Sequence, residues 1–128
     1  METTTVNNKE IVQSLIEGFD KSDVELILSH LAEDIQWNIV GEHVISGKKE
    51  IGDFFSAHPD MKMLSSTKDH IVVDGNTVAV DGEVECLNEG SGERHDMFYC
   101  DIYDLQDGKV KKMTSYCINK KKDNTPAV

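Results

Sequence analysis

The stretch HIVVDGNTVAVDGEVECLNEGSGERHDMFYCDIYDLQDGKVKKMTSYCIN (His70–Asn119) decides the fold. Apolar and polar residues alternate along much of it, and glycine-containing turns interrupt it at Asp74-Gly75-Asn76, Asn88 to Glu93, and Gln106-Asp107-Gly108. A period of two is the signature of a strand with two unlike faces. The spacing predicts four strands, His70–Asp74, Thr77–Leu87, Arg94–Leu105 and Lys109–Asn119, in an antiparallel meander. Gly82, inside the second of them, marks a bulge or bend.

Turn lengths set the register. A four-residue turn over Glu89–Gly92 pairs Cys86 with His95, Val84 with Met97, and Gly82 with Tyr99. A three-residue turn Gln106-Asp107-Gly108, with glycine at its left-handed position, pairs Met97 with Cys117, Tyr99 with Ser115, and Asp101 with Met113. One face then carries Val80, Gly82, Val84, Cys86, His95, Met97, Tyr99, Asp101, Met113, Ser115 and Cys117. The opposite face carries Asp81, Glu83 and Glu85 with Phe98, Cys100, Ile102, Lys112 and Tyr116. The first face is small, sulfur-containing and aromatic, with a few polar groups; that composition suits a pocket lining or a core face beneath helices.

Upstream of the strands the period changes. Ile11, Val12, Leu15, Ile16 and Phe19 fall at helical spacing. Ser22-Asp23-Val24-Glu25 reads as a capping box opening a second helix with the stripe Val24, Ile27, Leu28, Leu31. Ile35, Trp37 and Ile39 alternate as a strand, Val44-Ile45 suggests a very short one, and a third helix runs from Gly47 to Ala57, where Pro59 stops it. Helices first and a sheet afterwards predict an α+β class.

The chain has 128 residues, which suits a single domain over 1–128 with flexible ends at 1–7 and 120–128. Thirteen basic residues against twenty-four acidic leave a net charge of −11, and Arg94 is the only arginine. Nucleic acid and anionic membranes call for clustered cations, so neither is an expected partner. No stretch reaches the length of a membrane span and no signal segment is evident, so a cytoplasmic location is expected. Cys86, Cys100 and Cys117 are odd in number and widely spaced, which predicts reduced thiols. The five histidines show no ligand spacing and there is no glycine-rich phosphate loop, so neither a metal nor a cofactor is expected.

The run Leu31-Ala32-Glu33-Asp34-Ile35-Gln36-Trp37, the later Gly47-Lys48-Lys49-Glu50-Ile51-Gly52-Asp53-Phe54-Phe55, and the ending Tyr103-Asp104-Leu105-Gln106-Asp107-Gly108-Lys109-Val110 with Ser115-Tyr116 resemble the SnoaL-like polyketide cyclases of the nuclear transport factor 2-like superfamily. The resemblance covers about residues 8 to 118. It implies a cone-shaped, curved antiparallel sheet wrapped by three N-terminal helices, an apolar cavity, and homodimers packed through the sheet. The superfamily includes ketosteroid isomerases, epoxide hydrolases, cyclases, dehydratases and non-catalytic scaffolds. The isomerase base position matches Ile39, the helix-one tyrosine position matches Leu15, and the acidic oxyanion position matches about Tyr99. The Asp-Arg-Asp relay of the hydrolases has no counterpart around Arg94.

The residue set therefore points to a cofactor-independent isomerase, cyclase or lyase acting on a small apolar molecule, or to a binding or scaffold protein without activity. Asp101 is the candidate general acid or base, because desolvation on an inner face raises a carboxyl pKa. Tyr99 is a candidate oxyanion donor, and His43, in the loop after the first strand, is a candidate acid or base at the mouth. Trp37, Ile39, Phe55, Val84, Met97, Met113, Ser115 and Cys117 are the expected ligand contacts. His95 opposite Cys86 could form a thiol–imidazole pair, and His30, His58 and His70 read as surface or capping residues.

Overall fold

A computed structural model describes residues 7–120. The chain folds into α1 (Asn8–Lys21), α2 (Val24–Ser29), β1 (Leu31–Ile39), β2 (His43–Ser46), α3 (Lys48–Ala57), β3 (Met61–Ser66), β4 (His70–Asp74), β5 (Thr77–Asn88), β6 (Arg94–Gln106) and β7 (Lys109–Asn119). The seven strands form one curved, unclosed sheet in the order β2-β1-β7-β6-β5-β3, with β4 also paired to β5. This is the expected α+β class, with one departure: β1 runs parallel to β7, so the sheet is mixed.

Three local predictions need correction. Ser22 does not open α2; it closes α1 in the left-handed region at φ 56°, and Asp23 is the N-cap, its carboxylate accepting from the Leu26 N–H at 3.2 Å. An aspartate side chain satisfies an orphan amide as well as serine does, which moves the boundary by one residue. Leu31 belongs to β1 instead of α2, and it is buried as expected. The segment after Pro59, given no element from its pattern, forms β3.

The register over β5 and β6 is as predicted, including Gly82 opposite Tyr99. The β6–β7 register differs by two residues: Asp101 pairs with Ser115, Tyr99 with Cys117, and Tyr103 with Met113. The cause is the turn. Only Asp107 and Gly108 turn the chain, both left-handed at φ 53° and 79°, and a bulge follows between the Asp104 and Leu105 pairs. Asp-Gly with both residues left-handed is the tight hairpin that matches strand twist. A slip of two leaves every side chain on its predicted face.

The helices cover one face of the sheet. Val12 and Leu15 of α1, Ile27 of α2 and Ile51 of α3 are at most 1% exposed and pack on Leu31, Ile35, Val78, Val80, Tyr103, Val110 and Met113. Asn7 caps α1 through its side-chain oxygen. Lys120 is anchored by its N–H to the Asp96 carbonyl at 2.9 Å, by an ion pair to Glu83, and by its ammonium 5.0 Å from the Phe98 ring centre. Asn7 and Lys120, at the inner limits of the two expected flexible ends, make these contacts. The remainder of both predicted ends, 1–6 and 121–128, lies outside the described residues.

Candidate functional site

Register across the sheet sorts the inner face into rows. One row reads Ile45, Trp37, Met113, Tyr103, Val78; the next reads His43, Ile39, Ser115, Asp101, Val80; a third reads Cys117, Tyr99, Gly82. Burial falls along this direction. Tyr103, Val78 and Met113 are at most 2% exposed, Ser115 is 7% exposed, Asp101 and Tyr99 are half-buried, and Cys117 is exposed.

Asp101 sits where the apolar floor meets this more open region. Tyr103 donates its hydroxyl to the Asp101 carboxyl at 3.4 Å, and the Ser115 hydroxyl also bonds that carboxyl. The Ser115 oxygen in turn accepts from Trp37 Nε1 at 2.8 Å, so its proton is free for Asp101. Trp37, Ser115, Asp101 and Tyr103 thus form one chain of polar contacts in otherwise apolar surroundings. Desolvation dominates over both hydrogen bonds and pushes the Asp101 pKa up to about 6. Tyr103 is pushed well up, first by burial and then by Asp101, and stays protonated.

The aromatic wall comes from helix ends. Phe19 at the end of α1 and Phe54 and Phe55 on α3 surround Trp37, with ring centres 5.9, 5.7 and 6.1 Å from it. Offset and edge-on pairs of this kind hold rings in place, each worth about 0.5–1.5 kcal/mol beyond their area. His58 closes α3 with its ring against Phe54 at 4.7 Å.

Gly82 shapes the next row. A Cβ there would lie 2.1 Å from the Thr67 carbonyl oxygen, so the β3–β4 link can cross β5 only over a glycine. Tyr99, directly opposite Gly82, donates its hydroxyl to that same carbonyl at 2.6 Å. Burial and the surrounding carboxylates, Asp101 first among them, push the Tyr99 hydroxyl far up. The predicted oxyanion donor is therefore committed to the backbone.

The other predicted residues separate. His43 is exposed, with its ring 6.3 Å from that of Phe54. It shares a row with Asp101 but lies three strand spacings away, about 14 Å at the usual strand separation, so the two make no direct pair. Ile39, Phe55 and Met97 are half-buried, Met113 is packed in the floor, Val84 is buried outside that cluster, and Cys117 is exposed with its thiol pushed up to about 11 by burial and by Asp101 and Glu42. His95 turns to Glu93 at 3.5 Å and Cys86 to the Met63 sulfur at 4.0 Å, so no thiol–imidazole pair forms. Burial also raises the Cys86 pKa, which disfavours a thiolate. His30 caps α2, and His70 pairs with Asp81 at 2.8 Å on the outer face. On the same outer face Glu83 pairs with Lys120 and Glu85 with Arg94. Arg94 is exposed between Glu85 and Asp96, away from any interior carboxylate relay.

Among the described residues no three His, Cys, Asp or Glu side chains form a metal-binding group. Two surface depressions, lined by residues such as Asp34, Gln36, Asp104 and Lys111, or Ala32, Lys48 and Lys109, include none of the candidate residues. Tyr103 was missing from the sequence-derived candidates. The signal for it was present: two residues beyond Asp101 on one strand means the same face.

A curved, unclosed sheet covered by three helices is the architecture of the nuclear transport factor 2-like class of α+β proteins. The family model for the SnoaL-like domain matches residues 12–113, and the chain belongs to that family. Among solved structures, an NTF2-like protein of unknown function from Cytophaga hutchinsonii is 25% identical, with 88% of this chain and 100% of that one covered at a TM-score of 0.68. An epoxide hydrolase of the LEH-like type from M. tuberculosis is 15% identical over 86% of this chain and 81% of that one, with a TM-score of 0.77. A candidate polyketide cyclase from Xanthomonas campestris is 20% identical over 86% and 92%, with a TM-score of 0.72. The last two likenesses concern the fold alone. No curated protein matches the chain.

Proposed function

We propose that the chain binds a small apolar molecule against the inner face of its sheet and exchanges a proton with it through Asp101. The observation that carries this reading is a carboxyl held by the Ser115 and Tyr103 hydroxyls at the edge of an apolar floor, titrating near pH 6. Such a group changes protonation close to neutrality, which suits general acid–base work. Above about pH 6 it is a carboxylate and acts as base, so a base-dependent rate rises through that pH and levels off. Trp37, Phe55, Ile39 and Met97 are the expected contacts for the apolar body. Candidate cyclases among the structural relatives are consistent with this class of chemistry.

The test is deuterium incorporation, followed by NMR, into a panel of small apolar carbonyl and iminium compounds. Wild type should accelerate exchange at carbon next to the C=O or C=N group, and Asp101→Asn should lose the acceleration. Equal rates in both proteins would sink the proton-exchange role.

A second reading, a binding or dimeric scaffold protein without activity, draws on different residues. Ile39 stands at the family's base position and cannot take a proton, and Leu15 is fully buried in the core. On the outer face Phe98 pairs with Ile118 and Cys100 with Tyr116, leaving Phe98 48% and Ile118 65% exposed, a surface that a second copy would cover. Light scattering of wild type against Ile118→Lys reads this directly: a monomeric wild type removes the dimer.

A further inference from the structure

Donors and acceptors on the inner face are unequally available. Trp37 Nε1 is spent on Ser115, the Tyr99 hydroxyl on the Thr67 carbonyl, and the Tyr103 and Ser115 hydroxyls on Asp101. The N–H and O–H groups of the half-buried zone are thus taken by protein acceptors. What remains for a ligand is acceptor and π surface: the free lone pairs of Asp101 and the cluster of Phe19, Trp37, Phe54 and Phe55.

Charge points the same way. Asp101 takes part in no ion pair among the described residues. Lys68, next to Thr67 in the chain, is engaged by Asp20 at 3.6 Å. Asp20, Asp69 and Asp81 all act on the Tyr99 hydroxyl, and Glu42 acts on Cys117, so the field at this end is negative. A ligand developing negative charge beside Asp101 would meet a carboxylate, with the neighbouring indole and hydroxyl donors already engaged and the exposed His43 ring three strand spacings away. A ligand carrying positive charge would meet a carboxylate lacking a counter-ion and aromatic groups able to flank it.

We propose that the inner-face site takes a cationic nitrogen, a protonated amine or an iminium, on a small apolar body, with the charge paired to Asp101 and the body against the aromatic cluster. This rests on the reading of Asp101 as the proton-exchanging group and names the class of molecule it serves. The charge balance is favourable for the chemistry. When the carboxylate takes a proton from such a cation, an O–H bond forms and an N–H bond, or a C–H bond beside an iminium, breaks. The electron pair stays on the ligand, and two opposite charges become two neutral groups. Surroundings that solvate charge poorly assist that direction.

Three probes of one shape separate the alternatives: 2-phenylethylamine, 2-phenylethanol and phenylacetate, titrated calorimetrically into the full chain at pH 7.5 and low salt. The amine should bind at least tenfold more tightly than the alcohol, with phenylacetate weakest, and Asp101→Asn should bring amine and alcohol within twofold of each other. Trp37 is the only tryptophan, so its single indole N–H resonance must shift with the amine in wild type, a readout that holds even if the variant folds poorly. An alcohol or acetate that binds as well as the amine overturns the cationic class but leaves proton exchange at Asp101 standing, since the deuterium test is independent. An amine preference that survives in Asp101→Asn, or an unmoved Trp37 signal, puts the cation elsewhere and overturns the proposal. Absence of binding by all three overturns it together with the use of phenyl-sized ligands.

Discussion

The two ends of the inner face differ in the kind of work their residues can do. At the deep end, Val12, Leu15, Ile35, Val78 and Val110 are 0% exposed and interdigitate in one cluster around the ring of Tyr103. At the shallow end, Met97 and Tyr99 are half-buried and Cys117 and His43 are exposed, although the strands and the alternation are the same. The helices make the difference: α1, α2 and α3 each set a buried aliphatic side chain over the deep rows, whereas Phe19 of α1 and Phe54 and Phe55 of α3, gathered around Trp37, are only partly buried. Asp101 lies at the boundary, where desolvation is strong enough to raise its pKa and access remains. A site for chemistry is found at such a boundary because neither a dry core nor open water would leave a carboxyl both perturbed and reachable.

The comparison can be broken most severely at its dry end. Leu15→Ala removes a fully buried side chain and should cost about 4 kcal/mol in urea unfolding, within the range for leucine cavities. A loss below about 1 kcal/mol would mean the deep end is not the rigid partner. Next, Gly82→Ala sets a methyl group against the Thr67 carbonyl and should destabilise by about 3 kcal/mol, since backbone is the obstacle. Loss of the Tyr99–Thr67 bond should accompany it, visible as a lower Tyr99 pKa by ultraviolet titration.

At the boundary the sign reverses. The folded-state pKa of Asp101, about 6, lies above the usual carboxylate value, so its stabilising contribution is complete below about pH 4 and disappears as pH rises through 6. Asp101→Asn should therefore be more stable than wild type at pH 8, by about 2 kcal/mol after allowance for partial exposure, and the gain should vanish at pH 4. Parallel stability curves for the two proteins would contradict the assignment. The smallest effect belongs to the outer face: Arg94→Ala breaks exposed pairs with Glu85 and Asp96 and should change stability by less than about 0.5 kcal/mol, as read from the thermal midpoint.

Much of this was legible in the residues. The period-two runs marked β4 to β7, and the four-residue turn located the β5–β6 register. The face assignment survived the mistaken last turn because a slip of two preserves sidedness. Illegible were β3, whose Met61–Ser66 segment shows weak alternation, and the parallel β1–β7 pairing, which joins segments far apart in sequence. In the candidate site, Asp101, Trp37 and Ser115 were picked out from their positions, and the structure links them. Tyr99 was also picked out, but its hydroxyl is claimed by a carbonyl on a link that no pattern placed nearby.

By itself the sequence determined which residues face inward, because alternation along a strand and spacing along a helix are local properties of the backbone. It also determined the acidic balance and the lack of arginines for anion recognition. Only the tertiary structure decided which of the inward groups remain available. Hydrogen bonds from Trp37 to Ser115, from Tyr99 to Thr67 and from Tyr103 to Asp101 join residues on different strands or settle which hydroxyl meets which oxygen. Burial at Asp101 likewise depends on how far α1 and α3 extend over the sheet, and a carboxyl pKa responds to that solvent exclusion, which no single element contains.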